Sequence, residues 1–157
     1  MPIIYTDGSS RGNPGPGGWG AIIASEDKVV EIGGKEPHTT NNRMELTGTI
    51  RSLEFTINNF QFSKIQIYTD SEYVMKGITT WIHNWQVKGW RTANKKPVLN
   101  QDLWQRLLEL TDGKEIEWRY VAGHSGVPLN ERADVIATTF ADGLTLNLYN
   151  GPKDGYK

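Results

Sequence analysis

A change of hydrophobic period near residue 40 constrains this chain more than any other feature. Before it lie three short apolar runs, Ile3 to Thr6, Trp19 to Ser25 and Val29 to Gly33. The first two are separated by the Gly/Pro-rich stretch Gly8 to Gly18, the last two by Glu26-Asp27. Runs this short, with turn residues between them, read as consecutive strands of an antiparallel meander. After it, Leu46, Ile50, Leu53 and Ile57 fall at i, i+4, i+7 and i+11, the stripe of an amphipathic helix from about Asn42 to Asn58.

Ile65 to Thr69 reads as a fourth strand, with Asp70 and Ser71 offering an N-cap for a short helix that Gly77 ends. Helical stretches follow at Thr80 to Val87 and Asn100 to Leu110, then a fifth strand, Ile116 to Val121. Ala133, Ile136, Ala137 and Phe140 mark the stripe of a last helix. Strands four and five each follow a helix, so both can lie parallel to the first. The expectation is an α/β fold: a mixed five-stranded sheet, three strands antiparallel and two parallel, flanked by helices. It occupies residues 1–150 as a single domain, and the polar residues 151–157 read as a mobile tail. Ligands of such sheets gather at the carboxyl ends of the strands.

Composition excludes several function classes. There is no cysteine among the 157 residues, which removes disulfides, thiolate metal sites and cysteine nucleophiles. No apolar run approaches the roughly 20 residues of a membrane-spanning helix, and Met1 to Tyr5 lacks the pattern of a secretory leader. A cytoplasmic protein without membrane association is expected. A net charge of −1 does not announce a nucleic-acid binder, but the charge is unevenly placed. Between Glu72 and Asp102 there is no acid, while Lys76, Lys88, Arg91, Lys95 and Lys96 and the tryptophans Trp81, Trp85 and Trp90 fall there.

Four carboxylates stand at element boundaries: Asp7 after the first strand, Glu45 early in the first helix, Asp70 after the fourth strand and Asp134 early in the last helix. Each has an ordinary structural reading. Asp7 before Gly8 suits an Asx turn, Glu45 three residues after Asn42 suits a capping box, Asp70 suits an N-cap, and Asp134 suits a solvated helix face. Taken together they suggest another. If strands one and four are parallel neighbours, Asp7 and Asp70 share one sheet edge, and a helix start over that edge adds Glu45. Clustered carboxylates repel unless protons or cations neutralise them. Oxygen donors without His or Cys select hard cations such as Mg²⁺, and two such ions support in-line phosphodiester hydrolysis without a side-chain nucleophile.

Five strings occur in order along the chain: YTDGSSRGNPGPGGWG (Tyr5 to Gly20), TTNNRMEL (Thr39 to Leu46), IYTDSEYV (Ile67 to Val74), GITTWIHNW (Gly77 to Trp85) and GHSGVPLNERAD (Gly123 to Asp134). Together they closely resemble type 1 ribonuclease H of the bacterial kind, over about Ile3 to Phe140. The resemblance implies a ribonuclease H-like fold and a monomeric endonuclease that cuts the RNA strand of RNA/DNA hybrids, leaving 5′-phosphate and 3′-hydroxyl ends. It implies Asp7, Glu45, Asp70 and Asp134 as catalytic, metal-holding acids for two Mg²⁺ ions, with Mn²⁺ as a substitute. His124 matches a loop histidine that assists proton transfer or product departure. The main chain around Gly8, Ser9, Ser10 and Arg11, with Asn41, Asn42 and Glu72, would face RNA sugars. Asn13 and Asn42 would approach the DNA strand, and Thr40 and Asn100 would hold a DNA phosphate. The segment from Thr80 to Lys96 resembles a basic protrusion in which Lys88, Arg91, Lys95 and Lys96 would track phosphates and Trp81, Trp85 and Trp90 form a small core rather than a stacking platform.

Rival readings fit less well. A catalytically silent hybrid-binding module should have lost an acid, and all four are present. A junction resolvase or integrase core would lack the GNPGPGG loop, the protrusion and the GHSG…NERAD arrangement together, and no EF-hand spacing supports a Mg²⁺- or Ca²⁺-binding protein without enzymatic activity. The nuclease domain of a reverse transcriptase shares the family, and a unit beginning at Met1 favours a free-standing enzyme. Two departures bear on affinity: Glu72 stands where the bacterial pattern usually carries Gln, and Gln86-Val87 replaces a more basic pair. The predicted consequence is that Glu72→Gln tightens hybrid binding. Titration at fixed salt checks this, and unchanged or weaker binding refutes it.

Overall fold

Strand β1 (Ile3–Ser10) is the hub of the sheet, antiparallel to β2 (Gly15–Ala24) on one side and parallel to β4 (Lys64–Thr69) on the other. The computed structural model describes residues 1–156. Antiparallel pairing continues from β2 to β3 (Lys28–Thr39), and β5 (Glu115–Tyr120) adds parallel to β4. The expectation of five strands is corrected to six: β6 (Asn150–Pro152) pairs antiparallel with β3, giving the order β5-β4-β1-β2-β3-β6.

Helix α1 (Asn41–Asn59) and helix α4 (Gln101–Thr111) cover one face of the sheet, where Ile4, Ile23, Leu46, Leu53, Ile65, Ile67, Trp104 and Leu107 form the main core. Helix α5 (Pro128–Ala141) covers the other face, with Ala133 and Ile136 against Ile22 and Val29. Ile22 and Ile23 serve opposite cores because successive strand residues point to opposite faces. Among the described residues no helix is long and apolar enough to cross a membrane.

Residues read as a polar tail are docked instead. Glu31, buried in β3, accepts two bonds from the Arg132 guanidinium (2.8 and 3.0 Å), one from the Tyr149 main-chain N–H (3.0 Å) and one from the Tyr156 hydroxyl (2.7 Å). A buried carboxylate is tolerated only when paired and hydrogen-bonded, and here the segment after α5 supplies two of its partners. Lys157 lies outside the described residues.

The expectation that Gly77 ends a helix is also corrected. Helix α2 (Glu72–Lys76) runs through a π-helical turn, Gly77–Trp81, into α3 (Ile82–Val87). Gly77 is itself helical (φ −62°, ψ −52°). Its lack of a side chain serves packing: a Cβ there would stand 2.0 Å from the Trp104 ring. Around that contact Tyr73, Trp81, Trp85, Trp90 and Trp104 pack with successive ring centroids 5.3 to 6.2 Å apart. Such spacing is that of favourable aromatic pairs. Gly77→Ala is therefore expected to lower the unfolding free energy by about 1–3 kcal/mol, the usual cost of overpacking. Urea denaturation checks this, and an unchanged midpoint would mean that the indole moves aside freely.

Candidate active site

The site begins with a close approach of helix to strand. A Cβ on Gly8 would lie 2.3 Å from the main chain of Met44 and Glu45, and one on Gly48 would lie 2.6 Å from the Thr6 hydroxyl. Only glycine at these two positions lets α1 settle on β1. The approach brings Glu45 beside Asp7. Strand β4, in register with β1 from Ile3↔Gln66 to Thr6↔Thr69, delivers Asp70 immediately after its last residue.

The result is a group of three carboxylates, Asp7, Glu45 and Asp70, with one oxygen of each within 4.8 Å of the others. Asp7 and Glu45 are buried and Asp70 is partly buried. Asp134, in the second turn of α5, stands outside this tight group, though its charge acts on both Asp7 and Asp70. Among the described residues no basic side chain forms a salt bridge with any of the four. Glu45 Oε1 is buried without a hydrogen-bond partner.

Electrostatics follow from that geometry. Burial, reinforced by the charges of Asp70 and Asp134, pushes the Asp7 carboxyl up to about 8. Burial and the charges of Asp7 and Asp70 raise Glu45 well above the ordinary carboxylate range. Asp70 is raised chiefly by burial and then by Asp134, while Asp7 and the buried Asn130 amide act on it in the opposite sense. An all-carboxylate pocket in which burial and mutual repulsion disfavour the charged forms has the donor set of a divalent-metal site.

The structure overturns the ordinary readings of three acids. Strand β1 runs on to Ser10, so there is no turn at Asp7-Gly8; Asp7 Oδ1 accepts the Gly8 N–H at 2.8 Å. The cap of α1 is Thr40, whose hydroxyl accepts the Arg43 N–H at 3.2 Å, so Asn42 and Glu45 do not form the capping box. The cap of α2 is Ser71, accepting from Val74 N at 3.1 Å, which leaves Asp70 free for the cluster.

His124 is exposed, with left-handed backbone (φ 56°), on the loop between β5 and α5. The preceding Gly123 passes close to the acids: a Cβ there would lie 3.1 Å from Asp70 Oδ2. A second group of candidates gathers at the start of α1. Asn13 accepts the Asn41 N–H at 3.0 Å, and Arg43, capped by Thr40, donates to Asn100 Oδ1 at 3.2 Å while pairing with Asp102. Asn100 also donates to the Tyr73 hydroxyl at 3.0 Å. Asn41 and Asn42 are exposed in the first turn of α1, and Ser9 and Ser10 are half-buried at the end of β1. Glu72 is exposed and 3.5 Å from Lys76, which offsets its charge. Arg11 pairs with Asp142, and Lys88 is exposed at the end of α3. Trp81, Trp85 and Trp90 are half-buried in the aromatic cluster.

Two participants escaped sequence reasoning. Asn130 lies one helical turn before Asp134, on the same face of α5, and that spacing was a usable signal. Arg43 joins Thr40 to Asn100 across 57 residues of sequence, a link that no local pattern carries.

Comparison with known proteins places this geometry in context. The family model described as RNase H matches residues 2–142. Ribonuclease H of Alcanivorax borkumensis is 56% identical over 140 residues, covering 89% of this chain and 91% of the relative. Ribonuclease H of Thermosynechococcus vestitus is 53% identical over 150 residues, covering 95% and 94%. The crystal structure of LC9-RNase H1, described as a type 1 RNase H with the type 2 active-site motif, superposes with a TM-score of 0.81 at 33% identity, covering 96% of this chain and 77% of that one.

The raised acids carry a stability consequence. Asp7 has an ordinary value of 3.8 and a folded value of about 8, so its favourable contribution is complete below the ordinary value and is lost as pH rises through the folded one. Metal-free protein is expected to lose stability from this group between about pH 4 and 8, and Asp7→Asn is not. Thermal melts in EDTA should show the variant above wild type by a margin that widens with pH. A margin that is constant or negative contradicts the assignment.

Proposed function

The chain belongs to the ribonuclease H family, and from that premise we propose that it is an endonuclease hydrolysing the RNA strand of RNA/DNA hybrids. The acids are Asp7, Glu45, Asp70 and Asp134, and the cofactor is Mg²⁺, two ions in the presence of substrate, with Mn²⁺ able to substitute. The observation that carries this reading is the convergence of three carboxylates within 4.8 Å, largely buried, with no cationic side chain paired to them among the described residues. The donor set fits: all donors are carboxylate oxygens, which suit hard cations, and Glu45 Oε1 has no other partner.

When bound, the two ions supply charge stabilisation for an in-line phosphoryl displacement. The chain itself fixes the acids on a strand, a strand end and two helices, so that their spacing does not relax when the charges change. Two hard cations support in-line displacement without a side-chain nucleophile and the chain has no cysteine, so in this reading water is the attacking group. Its oxygen bonds to phosphorus, the bond from phosphorus to O3′ breaks, and the products carry 5′-phosphate and 3′-hydroxyl ends. His124, on the loop whose Gly123 passes Asp70, would carry a proton at a ring nitrogen as the oxygen departs.

Recognition of the second strand falls to the start of α1. That helix has no acid in its first turn, so its positive end is uncompensated. Thr40, Arg43 and Asn100, already linked to one another, form a corner for a DNA phosphate, with Asn13 and Asn42 beside it on the DNA strand. The main chain from Gly8 to Arg11, with Asn41, Asn42 and Glu72, faces the ribose side, where the 2′-hydroxyl distinguishes RNA. Lys88 tracks phosphates from the protrusion.

The test is incubation with labelled RNA/DNA hybrid, single-stranded RNA, duplex RNA and duplex DNA, each with Mg²⁺ or EDTA. Only the RNA of the hybrid should be cut, with the ends given above, and Asp70→Asn should abolish cutting. Cleavage that persists in EDTA, products ending in a cyclic phosphate, or equal cutting of duplex DNA would each defeat the reading.

A further inference from the structure

An ion pair joins the turn after β1 to the end of α5. Arg11 Nε lies 2.5 Å from Asp142 Oδ1, and the second arm of the guanidinium lies 3.0 Å from Asp142 Oδ2. Both side chains are about half exposed, 48% and 45%, so the pair is accessible to an incoming group. The backbone beneath Arg11 is held firmly. Its N–H donates to the Pro16 carbonyl at 2.6 Å, and Gly15 packs so closely that a Cβ there would lie 2.1 Å from the Arg11 carbonyl oxygen. What can change is the direction of the guanidinium.

Asp142 is the C-terminal cap residue of α5. A negative charge at a helix C-terminus opposes the helix dipole, so the helix itself gains nothing from a carboxylate here. Its favourable interaction is with Arg11. The pair sits on the two elements that carry Asp7 and Asp134: Arg11 follows Asp7 by four residues just past β1, and Asp142 follows Asp134 by eight at the end of α5. A planar guanidinium fork accepts a phosphate in the same bidentate manner as a carboxylate.

We infer that Asp142 is a positioning residue that holds Arg11 as a counter-ion latch, and that a phosphate of the RNA strand beside the cleavage site displaces Asp142 when hybrid binds. This rests on the proposed hybrid-cleaving function. The exchange replaces one anion by another at the same cation, so Arg11 adds less to affinity than an unpaired arginine would. Weak or single polyanion contacts then fail to open the pair, and a correctly seated RNA strand opens it.

The experiment measures hybrid binding in EDTA across a salt series for wild type, Asp142→Asn, Arg11→Gln and the double variant, with Asp142→Ser as a second uncharged replacement and thermal melts to confirm folding. Asp142→Asn should tighten binding several-fold at low salt. Arg11→Gln should weaken it and reduce the salt slope by about 0.7–0.9, one phosphate contact. In the Arg11→Gln background, loss of the Asp142 charge should change nothing. The latch is overturned if Asp142→Asn leaves binding unchanged or weaker, or tightens it by the same factor with and without Arg11, because the effect would then be general charge repulsion. A wild-type protein that binds no hybrid overturns the functional reading itself, whereas one that binds hybrid with both Asp142 variants silent overturns only the latch.

Discussion

The contact between Gly8 and the main chain of Met44 and Glu45 is the constraint on which the rest of the site depends. It sets how deeply α1 sits on β1, and so whether the Glu45 carboxylate reaches Asp7. Any side chain at Gly8 would lift the start of the helix and take Glu45 with it. The parallel register of β4 fixes the third acid against the same strand. Two backbone relations, one of helix on strand and one of strand beside strand, thus assemble acids separated by 38 and 25 residues of sequence.

Such an assembly opposes folding, because buried like charges repel and resist desolvation. Stability has to come from elsewhere in the molecule. Two cores, one on each face of the sheet, provide the apolar burial. The Glu31 hub ties α5 and the C-terminal segment to β3 with four hydrogen bonds. Helix α5 is anchored near its start through Arg132 and at its end through Asp142, and Asn130 and Asp134 face the acids from the turns nearest the first anchor. The acids are thereby held on elements that the repulsion cannot easily displace, and His124 alone is carried on an exposed loop. That division suits chemistry in which charges must stay fixed while a proton moves.

Much of this was legible in the sequence, for reasons that can be traced. The stripe Leu46, Ile50, Leu53, Ile57 located α1 because its period comes from one buried face. Four acids could be singled out because polar residues at strand ends and helix starts stand out against apolar runs, and three of them, Asp7, Glu45 and Asp70, converge. What the sequence hid depended on distant partners. Gly15 to Gly18 reads locally as a loop, yet it lies in β2, where a Cβ on Gly18 would collide with the Ala137 main chain of α5, as one on Gly20 further along would with that of Ala133. Glycine was selected there for the approach of a helix more than 110 residues away, not for a turn. Gly77 misled in the same way, its reason being Trp104. The sixth strand was hidden because Asn150-Gly151-Pro152 has no strand propensity of its own, and it pairs because Glu31 captures the chain on either side of it.

Helix α1 links the two halves of the proposed recognition. Its cap, Thr40, would hold the proposed DNA phosphate, and one turn on it carries Glu45 of the carboxylate cluster. Five residues of α-helix rise about 7.5 Å, and the length cannot stretch or shorten without breaking main-chain hydrogen bonds. On that reading the helix acts as a ruler across the groove between the strands. A duplex whose groove is too wide or too narrow would satisfy one end and miss the other, whatever its sequence. Selectivity for a hybrid then needs no contact with base edges. It would rest on the proposed ribose contacts together with a rigid rod whose seating on β1 is set by the bare Cα of Gly8.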